Sequence, residues 1–253
     1  MKVMKFGGTS VGSPESILNL KQIVENASHP AVVVVSALGG VTDSLIKASR
    51  EAADGDSAYL DTYTALVERH HRMILDVIPA GAEREALMAK TDALLEELGS
   101  IYKGVSLIQD LTPKTADAIV AYGERLSSLI VTTLIPGAIR YDARHFIKTT
   151  TKGGKRLVDF DATTPLIHDK LSGLAGIAVV PGFIASDAAT GVTTNLGRGG
   201  SDYTASILAA ELGADELEIW TDVDGFMTAD PRVIPTAYTI DSLTYSEAMD
   251  LCN

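Results

Sequence analysis

The chain has one cysteine, Cys252, in 253 residues. No intramolecular disulfide can form, which excludes a disulfide-stapled scaffold and fits a reducing, cytoplasmic setting. Basic residues are also scarce: 21 Lys and Arg stand against 33 Asp and Glu, for a formal net charge of −12. Nucleic-acid binding needs a clustered cationic excess, so no nucleic-acid partner is expected. A small anion held by local backbone and one or two cations remains compatible with that charge. Long apolar runs are missing too. AVVVVS and GIAVVPGFIA have strand length, far short of the roughly 20 residues that cross a bilayer, and no membrane partner is expected. The opening MKVMKFGGTS lacks the apolar core and small-residue cleavage site of a secretory signal.

Several catalytic signatures are absent as well. GGKR at 153–156 has neither the spacing nor the hydroxyl of G-x-x-x-x-G-K-[ST], and no G-x-G-x-x-G opens a helix. Protein-kinase motifs and a G-x-S-x-G elbow are also missing. His70 and His71 are adjacent, so they point in different directions on a helix, and no second ligand cluster accompanies them. They read as a solvated helix face, and no metal site is expected.

What the chain does have is 46% hydrophobic residues, enough for a sizeable core, arranged in alternating strand and helix patterns. Val3–Phe6 reads as a strand. Ser13, Pro14 and Glu15 follow as N-cap, first helical residue and first-turn acid, ahead of Ile17, Leu20 and Val24 at helical spacing. Val32–Val35 is a β-branched run suited to a strand buried on both faces, followed by SALGG and a helix from near Thr42. A helical excursion is expected at about 57–110. Thr112 and Pro113 open another long helix. Further strands are expected at 138–142, 177–185 and 217–221, with a helix from Ser201 to about Leu212. Such alternation predicts an α/β three-layer αβα sandwich on a mainly parallel sheet, with ligands beyond the carboxyl ends of its strands.

The unusual residues follow those strands. KFGGTS and SALGG each offer glycine backbone that can approach a phosphate closely, and Lys5 adds a point charge. Each pair alone also reads as an ordinary turn. In NLGRGGSD, Arg198 sits between glycines where it can present a two-pronged donor to a carboxylate or phosphate, and Ser201 and Asp202 are N-cap candidates. WTDVDGFMTADPR places Asp222, Asp224 and Asp230 near a strand end, and Asp230 reads as turn chemistry. In AYGERLSS, Gly123 within a helical pattern costs about 1 kcal/mol against alanine. Either another group approaches there or the glycine is simply tolerated.

With KFGGTSVG, VVVSALGGVTD, AYGERLS, PGFIA, LGRGGSDYTA and IWTDVDGFMTADPR in this order, the chain resembles the amino-acid kinase family and, within it, the aspartate kinases. It resembles most closely the kinase portion of bifunctional aspartate kinase/homoserine dehydrogenase proteins, or a stand-alone relative. The resemblance implies one catalytic domain over 1–253 and transfer of the ATP γ-phosphoryl group, with Mg2+, to the β-carboxylate of L-aspartate. That reaction opens lysine, threonine and methionine biosynthesis. The resemblance further implies that Lys5 contacts the transferring phosphoryl, Gly7 and Gly8 line its path, and Asp202 organises the lysine. Ser36, Thr42, Glu124, Arg198 and Ser201 would hold aspartate, while Thr221, Asp222 and Arg232 would face ATP. Arg198 supplies a donor for carboxylate and Glu124 an acid for ammonium. It also implies a homodimer. Met227 stands where the family has tyrosine, and the family continues past this chain's end with a lysine-bearing segment and regulatory ACT domains. A truncated, catalytically weak nucleotide- or aspartate-binding domain is the alternative reading.

Overall fold

The computed structural model describes residues 1–27 and 30–252, without the side chain of Cys252. It divides into a unit of Met1–Trp220 and a smaller one beginning at Thr221. The first contains β1 (Lys2–Phe6), α1 (Pro14–Asn26), β2 (Ala31–Val35), α2 (Val41–Ala53), α3 (Tyr59–Val77), α4 (Ala82–Ile108) and α5 (Pro113–Leu134). It continues with β3 (Ile139–Arg140), β4 (Lys148–Lys152), β5 (Lys155–Val158), α6 (Phe160–Leu171), β6 (Ile177–Pro181), β7 (Ile184–Asp187), β8 (Thr193–Asn195), α7 (Gly200–Glu211) and β9 (Glu216–Trp220).

Among the described residues, β3-β6-β2-β1-β9 form a parallel sheet in that order. Val3 pairs with Val32, and Val33 with Val179. All five residues of β2 are buried, as a strand covered on both faces must be. Successive side chains of a strand face opposite ways, and two separate cores result. Met4, Phe6, Val33, Val35 and Val179 pack with Ile17, Leu20, Leu45, Ile74, Leu98 and Ile130 of the long helices. Val3, Val32, Val34 and Val180 pack instead with Ile167 and Leu171 of α6 and Ala205 and Leu208 of α7. This is the expected α/β sandwich with a parallel central sheet.

The caps follow the sequence. Ser13 accepts the Ser16 N–H at 3.1 Å and Thr112 that of Thr115 at 3.1 Å. The helical excursion is α3 and α4, broken at Ile78–Gly81 by Pro79 and by a glycine with φ +151°.

Two expectations are corrected here. The single strand expected at 177–185 is two, because the chain bends at Gly182–Phe183, where Phe183 takes φ +66°. There the Phe183 N–H donates to Thr204 Oγ1 at 3.0 Å and its carbonyl accepts from Leu196 at 2.8 Å. β6 therefore stays in the central sheet, while β7 joins a separate sheet of order β5-β4-β7-β8. The other correction concerns His70, which is not on a solvated face. It is 0% exposed, with Nδ1 2.7 Å from the Leu66 carbonyl and Nε2 without a partner among the described residues. His71 is half-buried against Asp92 at 2.6 Å.

In the second unit, Met227 bridges Thr239 in antiparallel fashion, and α8 (Tyr245–Cys252) follows. Thr244 and Glu247 cap its start reciprocally: Glu247 Oε2 accepts the Thr244 N–H at 2.8 Å and Thr244 Oγ1 accepts that of Glu247 at 3.3 Å.

Burial lowers the His70 pKa from 6.5 to about 4. A base whose folded pKa is depressed is stabilised above its unfolded pKa and loses that stability as pH falls from 6.5 toward 4. Urea denaturation at neutral pH and at about pH 5 is therefore expected to differ by roughly 2 kcal/mol from this residue. The His70→Leu variant should lose that part of the pH dependence.

Candidate active site

β1, β2 and β6 are adjacent in the sheet, so the loops leaving their carboxyl ends meet. The β1–α1 and β2–α2 loops touch through backbone alone. A Cβ on Gly39 would lie 3.0 Å from the Gly8 carbonyl oxygen, and one on Gly8 3.3 Å from that of Ala37, tighter than most side chains are found. Gly8, Gly12 and Gly39 are thus favoured by the close approach of these backbones. Gly7 donates to the Trp220 carbonyl at 3.3 Å, and a Cβ there would lie 3.5 Å from Lys5 Nζ.

Helix α5 fixes the second loop. A Cβ on Gly123 would lie 2.7 Å from the Ala37 methyl, so the helix reaches its neighbour only because this position has no side chain. One residue on, Glu124 Oε1 accepts the Ala37 N–H at 3.2 Å. One turn on, Ser127 Oγ donates to the Ser36 carbonyl at 2.7 Å. Three positions of GERLS therefore hold SALGG in place.

The β8–α7 connection closes the far side. Gly197 and Gly199 take φ of +75° and +69°, a region that glycine enters without strain. Helix α7 is capped by Gly199 with no side-chain bond. Ser201 and Asp202 were expected as N-caps and instead lie in the first helical turn, because the two left-handed glycines deliver the backbone into the helix at Gly200. The start of α2 is alike, with Gly40 at φ +78° and no side-chain cap. Of the other helices in this unit, α1, α5 and α6 are capped by Ser13, Thr112 and Asp159, while α3 and α4 also start without a side-chain cap. The two helix N-termini at this rim keep backbone donors free for an anion.

Together these segments enclose a cavity of about 380 Å3, lined by Lys5, Gly8, Ser36, Thr42, Glu124, Arg198, Ser201 and Asp202 among others. Its size suits a small ligand. Lys5 is buried at the end of β1, with Nζ 2.7 Å from Asp202 Oδ1. Arg198 is exposed and makes no ion pair among the described residues. Glu124 is 4% exposed and its Oε2 has no partner among the described residues. Desolvation raises its pKa from 4.5 to about 8, against the smaller lowering effect of the Ala37 N–H. Phe183 also lines the cavity and was missed by the sequence reading. Its signal was the PGF turn inside an apparently continuous strand. Ala37, whose N–H holds Glu124, carried no signal because a backbone group did the work.

Residues 1–252 match the Amino acid kinase family. The chain belongs to this family. An aspartokinase of Arabidopsis thaliana (aspartokinase 1, chloroplastic) is 31% identical over 98% of this chain and 45% of its own length. The lysine-sensitive aspartokinase 3 of Escherichia coli is 32% identical over 98% of this chain and 55% of its own. The crystal structure of E. coli aspartokinase III in complex with aspartate and ADP superposes with a TM-score of 0.88 at 30% identity, covering 99% of this chain and 55% of that one. The chain thus spans about half the length of these family members.

Thr221, Asp222 and Arg232 belong to the second unit. There Thr221 Oγ1 donates to Asp222 Oδ1 at 3.0 Å, and Arg232 grips Asp230 through Nε at 3.0 Å and Nη2 at 2.9 Å. Asp230 also accepts the Arg232 N–H at 2.9 Å, the turn chemistry expected of it. A cavity of about 620 Å3 lined by Asp222, Phe226, Met227 and Arg232 lies in this unit.

Filling Gly123 should disturb the family's site more than its stability. The Gly123→Ala variant gains about 1 kcal/mol of helix propensity and loses about 1–3 kcal/mol to overpacking against Ala37. Urea denaturation is expected to show a net loss of about 1 kcal/mol. A crystal structure of the variant should show Ala37 displaced by several tenths of an ångström, with its bond to Glu124 lengthened.

Proposed function

We propose that this chain is the catalytic domain of an aspartate kinase, moving the γ-phosphoryl group of ATP to the β-carboxylate of L-aspartate. The observation that carries the reading is the single cavity in which a buried lysine and two glycine loops face an unpaired arginine and a half-satisfied buried carboxyl. Aspartate offers two carboxylates and an ammonium. Arg198 and the free N-terminus of α7 suit a carboxylate, and Glu124 Oε2 suits the ammonium. Ser36, Thr42 and Ser201 supply hydroxyls around them.

Lys5, Gly7 and Gly8 hold the transferring phosphoryl group, and Asp202 fixes the Lys5 ammonium. The nucleophile is a carboxylate, already ionised near neutral pH, so no strong general base is required. Its oxygen forms a bond to the γ-phosphorus as the bond to the β,γ-bridging oxygen breaks, giving 4-phospho-L-aspartate and ADP. Alignment and charge neutralisation then supply the rate. Thr221, Asp222 and Arg232 are assigned to the nucleotide. Among the described residues no group of three or more His, Cys, Asp or Glu could hold a metal unaided. The donor set suits magnesium carried in on the nucleotide phosphates and touched by at most one or two carboxylates, where it would neutralise phosphate charge. We read the partners as aspartate and ATP within a homodimer, and the location as cytoplasmic from cysteine scarcity alone.

ADP release with ATP and magnesium should be stimulated by L-aspartate. Lys5→Ala is expected to reduce it by at least a hundredfold, since a charge-assisted contact is worth about 1.5–3 kcal/mol in the ground state and more in transition. Stimulation by another acid but not aspartate overturns the substrate. Binding of both ligands without ADP release overturns the turnover.

Glu124 gives a second test. With its pKa near 8 the empty site carries it mostly protonated at pH 7, and ionising it costs stability as pH rises from 4.5 through 8. A bound ammonium favours the ionised form, so aspartate binding releases a proton. Calorimetry in buffers of different ionisation enthalpy should show close to one proton released near pH 7, declining above about pH 8. The Glu124→Gln variant should show none, and no release from the wild type overturns this role for Glu124.

A further inference from the structure

Helix α5 carries another carboxylate, Asp117, two turns before Glu124. Positions seven apart lie on one face of a helix, about 10 Å apart along its axis. Asp117 does not line the cavity, yet its side chain is only 15% exposed. Its Oδ1 accepts from Asn195 Nδ2 at 2.6 Å, and its Oδ2 pairs with Arg156 Nη2 at 2.6 Å. Asn195 in turn uses its Oδ1 to accept the Gly197 N–H at 3.1 Å. Arg156 closes the ring by donating to the Asn195 carbonyl at 3.4 Å.

Gly197 is the residue just before Arg198. It takes φ +75°, and Gly199 on the other side takes +69°. Two glycines around an arginine make a flexible hinge unless something holds them. The Gly197 carbonyl accepts the Gly200 N–H at 3.0 Å, and the side-chain bonds that tie the loop to a neighbouring element run to α5, the helix that also holds Glu124. We infer that Asp117 and Asn195 form a strap that sets the separation of Arg198 from Glu124 and thereby which length of amino diacid the cavity accepts.

The inference rests on the reading that Glu124 and Arg198 grip the two ends of one amino diacid. Asp117 and Asn195 are positioning residues: they act on Arg198 through Gly197. The arrangement has a physical reason. Arg198 is exposed and unpaired among the described residues, so its own contacts cannot fix it before substrate arrives, and an ordered loop loses less entropy on binding. One methylene separates aspartate from glutamate, a difference that hydrophobic packing discriminates weakly. A rigid distance between two charged recognisers discriminates it better.

The test uses the 253-residue chain with Asp117→Ala, Asn195→Ala and Asp117→Asn, the last of which can still accept from Asn195. Hydrogen exchange read on a peptide covering 195–201 needs no ligand. It should quicken about tenfold or more in both alanine variants, stay near wild type in Asp117→Asn, and leave the 123–127 stretch of α5 unchanged. KM for aspartate should rise about tenfold in the alanine variants, the equivalent of losing one charge-assisted bond. KM for ATP should hold, and the preference for L-aspartate over L-glutamate should shrink. Unchanged exchange at 195–201 in Asp117→Ala overturns the strap. So does equal damage from Asp117→Asn, or an equal rise in both KM values. If exchange responds as expected while the wild type ignores aspartate, the strap stands and the substrate reading of the previous subsection is what has failed.

Discussion

The site depends on the close docking of helix α5 against the loop after β2. Gly123 lets the two backbones meet, with a would-be Cβ 2.7 Å from the Ala37 methyl. That proximity removes Glu124 from water and leaves it one backbone donor, the Ala37 N–H. A buried carboxyl with one satisfied oxygen and one free is expensive in isolation. It persists because the helix is held elsewhere, by Ile119, Ile130 and Val131 in the core and by Tyr122 and Arg125 on Glu97. The fold maintains an unsatisfied group where a ligand can satisfy it, which is how strain becomes specificity.

The same economy of side chains runs through the glycine loops after β1 and β2. Gly8, Gly12 and Gly39 touch through backbone atoms, and α2 and α7 start without side-chain caps. Stability is forgone at two helix ends, where a capping residue contributes about 1 kcal/mol. The residues at those starts, among them Gly40, Thr42, Gly200 and Ser201, line the cavity. Neighbouring parallel strands make this convergence automatic: β1, β2 and β6 end at the same rim, so their loops need only be short and glycine-rich to meet.

Much of this was legible in the sequence, and the limits are instructive. Buried parallel strands announce themselves as runs such as AVVVV, and Ser13-Pro14 and Thr112-Pro113 mark helix starts by local chemistry. Lys5, Arg198, Ser201 and Asp202 stood out because loops after strands carry unusual types, while Ser36, Thr42 and Glu124 were assigned through the family resemblance. What escaped was non-local. The break at Phe183 sits inside a continuous apolar run, and only pairing to Leu196 and Thr204 reveals it. The sheet of β4, β5, β7 and β8 is built from threonine-rich and charged segments such as KTTTK, whose pattern carries little periodicity. His70 looked solvated beside charged neighbours, since burial on one helix face depends on what α3 packs against. Ser201 and Asp202 resembled caps because their residue types fit, while the turn is decided by the positive φ of Gly197 and Gly199.

Charge balance ties these parts to the order of events in the cavity. With Glu124 mostly neutral near pH 7, the formal charges around the empty cavity are Lys5 and Arg198 against Asp202, a net of one positive. In a chain whose overall formal charge is −12, that local sign is what allows an anion to enter. A permanently ionised Glu124 would cancel it. On the aspartate reading proposed above, a carboxyl that holds its proton until an ammonium arrives would leave the attraction for phosphate and carboxylate intact. It would then supply its own negative charge only where a positive one sits beside it. On that reading, desolvation at Glu124, made possible by the missing side chain at Gly123, would let one small cavity attract anions and still recognise a cationic amine.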